Sequence, residues 1–225
     1  MTGSSASEKL AKMPKPGTVR EKLYYLKLSL FHPFEGFYDI RFRGKGSLVL
    51  AFIIIAVYGA VECAAYQYTG FIFNLNDIHE MNSISIFLSS TLIIGLFCLS
   101  NWTVTTLFNG KGNMRSIFTV TAYSMVPYVI SRIVYVFLSN YVIEDEAMIV
   151  NMIVGVGVVW FVFLLVAGLC VAHEYGLFKN LAALVVTAIA AFIIIFVFVL
   201  FLTLEEKMFS FIVDVVKEFI RRQTL

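Results

Sequence analysis

From residue 47 onward, long apolar runs alternate with short polar segments along the chain. The runs lie near 47–69, 83–108, 115–139, 148–171 and 178–204. An α-helix rises about 1.5 Å per residue, so each run is long enough to cross the roughly 30 Å hydrocarbon layer of a bilayer. The pattern predicts an all-α, polytopic membrane protein with five transmembrane helices in a membrane domain over 47–204.

An amphipathic segment precedes this domain, at 19–31. Its apolar side chains Leu23, Leu26 and Leu30 recur at helical spacing, and lysine and arginine lie beside them. This pattern predicts a short helix in the plane of the lipid headgroups, and Pro33 should end it. We therefore expect a mobile polar tail over 1–18, then an interfacial helix and basic turn over 19–46.

A second amphipathic segment follows the domain, at 205–225. One helical stripe is apolar: Met208, Phe211, Ile212, Val215, Val216 and Phe219. The opposite stripe is polar: Lys207, Ser210, Asp214, Lys217 and Arg221. The segment is too charged to span a bilayer, so it is expected to lie on the membrane surface or to extend the fifth helix into a partner.

Composition excludes other classes of protein. Hydrophobic residues make up 60% of the chain and charged residues only 14%, which a soluble core of this size could not accommodate. The net charge of +2 gives no indication of nucleic-acid binding. The three cysteines, Cys63, Cys98 and Cys170, lie in apolar runs, where they are expected to be buried small hydrophobes. No cluster of residues suggests a metal or another cofactor.

The charges between the apolar runs indicate the orientation. Cations cluster before the first run and between the second and third: Arg41, Arg43, Lys45, Lys111 and Arg115. The loops after the first and third runs carry acids but no lysine or arginine: Asp77, Glu80, Glu144, Asp145 and Glu146. By the positive-inside rule, the N-terminus is cytoplasmic and, with five spans, the C-terminus is outside.

Two similar turns occur on the predicted cytoplasmic side, at 43–47 and 109–113, and each combines glycines with a lysine. Such a turn caps the following helix, and its free N–H groups also suit an anion. We therefore consider the five cations above as candidates for binding a lipid phosphate or an acidic partner segment. The His173–Glu174 pair at this side is interpreted as an interfacial cap, and the glycosylation-like string at Asn101 is rejected because it lies inside the second span.

Ionisable groups also occur inside the spans. Counted at about 1.5 Å per residue from the cytoplasmic ends, Glu62 lies about 22 Å deep and Arg132 about 25 Å deep. An unpartnered charge at such depth costs several kcal/mol, so the two are expected to pair, with Asn151 nearby. The pair is either structural or lines a watery path or headgroup site.

The third span contains a proline. Pro127 cannot donate a backbone hydrogen bond to the carbonyl of Tyr123, so the helix should kink there. The hydroxyl of Ser124, or a water, could satisfy the freed carbonyl.

The string from Phe108 to Tyr128, FNGKGNMRSIFTVTAYSMVPY, resembles the signature of the Yip (Ypt-interacting protein) domain family, and 32–47 resembles that family's entry segment. The resemblance extends over most of the chain and makes Tyr123, Ser124 and Pro127 motif residues. It implies an integral membrane protein without known enzymatic chemistry. Eukaryotic relatives bind small GTPases and one another, but their Asp-Leu-Tyr-Gly-Pro motif and long N-terminal region are missing here, so GTPase binding is not expected.

These observations favour a scaffold or adaptor that assembles with other membrane proteins, in a transporter-associated or homo-oligomeric assembly, and in contact with membrane lipid. A bacterial cell membrane is the expected location. The alternative is a small transporter, channel or lipid-handling subunit that uses the Glu62–Arg132 region.

Overall fold

The computed structural model describes residues 18–74 and 82–223, and all regular structure among them is helical. The α-helices are α1 Val19–Phe31, α2 Pro33–Phe42, α3 Leu48–Tyr68, α4 Ser83–Leu107, α5 Met114–Ser124, α6 Val126–Leu138, α7 Ala147–His173 and α8 Leu177–Gln223. A 3₁₀ turn, Glu144–Glu146, precedes α7. The predicted tail up to residue 17 and the acids of loop 75–81 lie outside the described residues.

Five helical segments are long and apolar enough to cross a membrane, as the sequence predicts. They are Leu48–Tyr68, Ser83–Leu107, Met114–Leu138, Glu144–His173 and Leu177–Glu218. Three of them begin with a side-chain cap on a free backbone N–H: the oxygens of Ser47, Asn82 and Asn113 accept from the residue three positions later. The two glycine–lysine turns thus end in helix caps, as their sequences indicate.

The third span is interrupted next to Pro127. Helix α5 ends at Ser124, Met125 adopts a turn, and α6 begins with Pro127 in its first turn. The hydroxyl of Ser124 is buried and makes no hydrogen bond to a described residue. Ser124 therefore does not satisfy the carbonyl that the proline leaves free.

Helices α5, α6 and α7 form the centre of the bundle, and α3 and α4 pack beside them. Several of the most deeply buried side chains lie on α2, α5 and α7: Phe37, Ile117, Tyr123, Leu164 and Leu169. We call the end of the bundle that carries Arg41, Lys45 and Lys111 the basic end, and the end that carries Glu144–Glu146 the acidic end.

Helices α1 and α2 form a hairpin, and the sequence predicted only its first arm. The chain turns at His32, and the arms approach so closely that a Cβ on Gly36 would meet the backbone of Ser29. The α2 arm packs along α7. The elbow reaches the middle of α7, because the rings of Phe31 and Trp160 lie 6.1 Å apart between centroids.

Helix α8 runs without interruption for 47 residues, so the amphipathic segment at the C-terminus continues the fifth span. Its first half packs on α4, where Ala183 and Thr187 are buried. From 195 to 212 every side chain is exposed. This part of α8 therefore has no packing partner among the described residues.

Candidate functional site

Glu62 on α3 and Arg132 on α6 form a two-point ion pair within the membrane-spanning bundle. The Arg132 Nε lies 3.1 Å from Glu62 Oε1, and Nη2 lies 2.9 Å from Oε2. Both side chains remain 19% exposed. The planar guanidinium matches the carboxylate, so two charge-assisted hydrogen bonds offset the cost of removing both charges from water.

The ion pair lines a cavity of about 200 Å³ near the acidic end. The other lining residues are Ala65, Tyr66, Thr69, Phe73, Asn74, Ile86 and Tyr135. The guanidinium also lies 5.4 Å from the ring centroid of Tyr135, a cation–π contact. A cavity with a charge pair, a hydroxyl, an amide and two phenols can hold a small polar group.

Asn151, which the sequence placed near this pair, lies elsewhere. It is exposed in the first two turns of α7 and does not line the cavity. The helical depth count located the pair because both partners are charged. A depth count cannot show which side of a helix faces which neighbour. Whether Asn151 lies near the ion pair depends on the side of α7 that it occupies.

Tyr123 connects the motif helix to the first glycine–lysine turn. Its side chain is fully buried, and its hydroxyl accepts a hydrogen bond of 3.2 Å from the backbone N–H of Ser47. Ser47 in turn caps α3. Tyr123 of the motif thus fixes the N-terminal end of α3 against α5.

The two glycine–lysine turns meet at the basic end, where Arg41 joins them to α7. Its Nε donates to the carbonyl of Ala172 over 3.3 Å, and its Nη2 donates to the carbonyl of Lys111. These contacts place a cation at the C-terminus of α7, where the helix dipole is negative.

Most cations of the predicted anion site have a partner from this chain. The pairs are Arg43 with Asp39 at 3.2 Å, Lys45 with Glu21 at 2.8 Å and Lys111 with Glu174 at 2.6 Å. The hydrogen bond with Glu21 raises the pKa of the Lys45 ammonium above its ordinary value. Arg115 is exposed at the start of α5. Anion binding by this cluster stays a prediction, and an incoming anion would compete with three carboxylates.

Sequence reasoning missed a chain of buried polar side chains below these turns. His173 Nε2 lies 3.0 Å from Asn101 Oδ1, and Asn101 Nδ2 donates to Thr187 Oγ1 over 3.2 Å. All three side chains are at most 1% exposed. Because the amide oxygen only accepts, the imidazole donates from Nε2, and the chain ties α4, α7 and α8 together. The signal was present as two polar residues inside otherwise apolar runs, Asn101 and Thr187.

The second glycine–lysine turn covers the imidazole of His173. A Cβ on Gly112 would lie 2.6 Å from both Nδ1 and Cε1, so only glycine fits there. Tyr175 stacks on His173 at 5.4 Å between centroids, and its hydroxyl donates to the carbonyl of Phe108 over 2.9 Å. Burial raises the pKa of the Tyr175 phenol. Glu174 ends α7 with φ 57°, which turns the chain toward α8.

The five spans, the broken third span and the bonded glycine turns define a polytopic α-helical membrane protein. Within the described residues, no group of three or more His, Cys, Asp or Glu side chains could hold a metal ion. The family model of the Yip1 domain matches residues 27–200. The match covers most of the chain, which therefore belongs to the Yip1 domain family, as its motif predicted. No curated protein and no solved structure matches the chain.

Proposed function

We propose that this Yip1-domain protein is a membrane scaffold or adaptor that binds other integral membrane proteins through the outer half of α8. One observation carries the proposal: a helix far longer than a bilayer needs leaves its apolar surface uncovered. No catalytic step is part of this function.

The first half of α8 is firmly held by the bundle. The Thr187 hydroxyl accepts a hydrogen bond from the Asn101 amide, and Asn180 Nδ2 donates to the carbonyl of Val166 over 3.1 Å. Helix α8 has 47 residues and measures about 70 Å at 1.5 Å per residue. The hydrocarbon layer accounts for only about 30 Å of this length. The helix therefore extends well beyond the bundle and beyond the acyl chains.

The extension carries an exposed apolar stripe. Met208, Phe211, Ile212, Val215 and Val216 are each at least 50% exposed. An apolar stripe that lies outside the hydrocarbon layer is stabilised when another helix covers it. The partner we propose is an amphipathic helix of another integral membrane protein, continuing from a span of its own. Contact inside the bilayer with 195–204 would align the two helices.

The charge pattern supports an orientation for this assembly. With its cations in the cytoplasm, the basic end faces inward and the extension of α8 emerges outside. A bacterial cell membrane remains the location that we propose.

The test is site-specific photocrosslinking in native membranes. A photoreactive residue at Phe211 lies on the apolar stripe, and one at Ser210 lies next to it on the polar face. We expect position 211 to give one or two discrete adducts with membrane proteins and position 210 to give few. Equal labelling at both positions, or adducts with lipid alone at position 211, would reject the proposal.

A second function is favoured by the cavity at Glu62 and Arg132. An ion pair that is partly exposed in a 200 Å³ cavity has room to hold a polar headgroup or a small solute. In that case the protein is a lipid-handling or transport subunit. The charge-swapped variant Glu62→Arg/Arg132→Glu tests this. Wild-type stability with a loss of headgroup binding would support the site, and wild-type stability with unchanged headgroup binding would make the pair structural.

A further inference from the structure

An apolar groove lies beside the elbow of the α1–α2 hairpin. One wall is the face of α7 from Met152 to Phe163, and the elbow forms the roof. The lining residues are Leu30, Phe31, Pro33, Met152, Gly155, Val156, Val159, Trp160 and Phe163. The groove has a volume of about 790 Å³, within the size range of ligand sites, and no charged side chain lines it.

The groove occupies one half of the membrane. Trp160 lies 13 residues from each end of α7, so the elbow beside it ends near the middle of that helix. The α2 arm covers the half of α7 toward the basic end, where Phe37 packs against Gly168. From Trp160 the wall continues toward the acidic end as far as Met152, about 12 Å, which is most of one half of the roughly 30 Å hydrocarbon layer.

The length and chemistry of the groove select its occupant. A transmembrane helix of a partner must cross the whole hydrocarbon layer, and the hairpin would block it at the midpoint. A water-soluble ligand would find no hydrogen-bond partner on this lining. An acyl chain extends through one leaflet only and needs no polar contact. We propose that the groove binds one acyl chain of a phospholipid from the leaflet at the acidic end. This site is separate from the α8 surface and does not depend on the proposed function.

Gly155 offers a way to fill the groove without disturbing the fold. A Cβ at Gly155 would meet no atom within 4 Å, so the variant Gly155→Phe projects into open space along the wall. Gly95 on α4 is the matched control, because it is also a helical glycine with no atom within 4 Å of its Cβ and it does not line the groove. Both substitutions replace glycine in a helix interior, so neither should weaken its helix.

The experiment measures lipid retention by native mass spectrometry. Wild type, Gly155→Phe and Gly95→Phe are each reconstituted in phosphatidylcholine nanodiscs and released into the same detergent. Wild type and Gly95→Phe should each keep one phospholipid per chain, and Gly155→Phe should lose it while remaining monodisperse. Equal retention in all three, or a wild-type groove filled by a second copy of the chain, would overturn the proposal.

A second measurement locates the chain inside the groove. With Trp102→Phe, Trp160 is the sole tryptophan, since the sequence has two. Phosphatidylcholine brominated along its acyl chains should quench Trp160 fluorescence, and it should still do so in detergent with only the retained lipid present. Loss of quenching on detergent transfer, while lipid is still retained, would place that lipid elsewhere.

Discussion

Single polar contacts connect parts of this chain that are far apart in sequence. Arg132 reaches Glu62, Tyr123 reaches Ser47, and His173 reaches Asn101. Each contact satisfies a group that would otherwise lie in an apolar interior without a partner. Stability at the residue scale should therefore depend on keeping both members of each contact.

Removing one member of the ion pair leaves a charge without its partner. We expect Glu62→Gln to lower the free energy of unfolding by about 3 kcal/mol, because Arg132 would stay charged within the bundle. The measurement is unfolding by SDS in mixed micelles. The double variant Glu62→Gln/Arg132→Gln should lose clearly less than the two single losses added together. Additive losses would show that the two groups do not interact.

Loss of the Tyr123 hydroxyl should weaken the first span at its start. Tyr123→Phe keeps the buried ring and removes the acceptor of the Ser47 N–H, so we expect a loss of about 1–3 kcal/mol. Tyr38→Phe removes a hydroxyl from an exposed tyrosine and is the control. Both are measured by the same SDS unfolding. Equal stability of the two variants would contradict the role assigned to Tyr123.

At the scale of elements, small residues decide how closely the helices approach. Gly157 on α7 faces Ser131 on α6, and Gly168 faces Val120 and Phe37. A Cβ at either glycine would clash with these side chains. Close approach of this kind increases van der Waals contact, which drives helix association in lipid.

Two glycines on α7 provide a matched test of this packing. Gly157→Ala should destabilise the protein by about 1–3 kcal/mol, because its Cβ would collide with the Ser131 side chain. Gly155→Ala, two residues earlier on the same helix, meets open space and should be neutral or stabilising by up to about 1 kcal/mol. SDS unfolding of both variants measures this. A Gly157→Ala variant as stable as Gly155→Ala would show that α6 and α7 have room to separate.

The hairpin elbow carries an exposed carboxylate, Glu35, at the depth of Trp160. No ion pair joins Glu35 to another described residue. A charge at this depth costs about 2.5–3.5 kcal/mol, so Glu35→Gln should favour the docked hairpin. Limited trypsin cleavage after Lys27 in nanodiscs should become slower, since cleavage requires local opening. Glu144→Gln, an exposed acid of the 3₁₀ turn, should leave the rate unchanged, and faster cleavage in Glu35→Gln would place the elbow outside the hydrocarbon.

At the scale of the whole molecule, the two ends differ in charge and in construction. The basic end is tied together by hydrogen bonds of Arg41 and His173 and by the Lys111–Glu174 ion pair. At the acidic end, Asn140 Nδ2 donates to the carbonyl of Tyr68 over 2.9 Å, and α8 is fully exposed from 195 to 212. The molecule thus has its helices joined by polar contacts at the basic end and presents an uncovered length of α8 beyond the acidic end.

The orientation that we propose rests on this asymmetry in charge and can be measured directly. Five spans with the basic end inside place the C-terminus outside. Alkaline phosphatase fused after Leu225 should be active in a bacterial host, and green fluorescent protein fused there should be dark. The same reporters inserted after Lys111 should give the opposite result. A bright C-terminal fusion would require the reverse orientation or another number of spans.

Sequence reasoning located the spans, the helix break and the ion pair because each depends on local order or on depth. Run length specifies a span, Pro127 specifies a break, and two opposite charges at one depth specify a pair. It missed α2, since the ten residues after Pro33 carry no pattern that separates a docked helix from a polar turn. It also interpreted the His173–Glu174 pair as an interfacial cap, although the His173 side chain is buried and hydrogen-bonded to Asn101.

By itself the sequence determined the membrane class, the number of spans, the helix caps and the family, since apolar length, capping residues and motif are properties of neighbouring positions. Only the tertiary structure decided which faces meet. It brought Tyr123 to Ser47, folded the α1–α2 hairpin against the middle of α7, and left half of α8 uncovered. The physical reason is that lipid is as apolar as the side chains, so hydrophobicity identifies a span but does not choose its neighbours. That choice depends on fit and on polar contacts between distant residues.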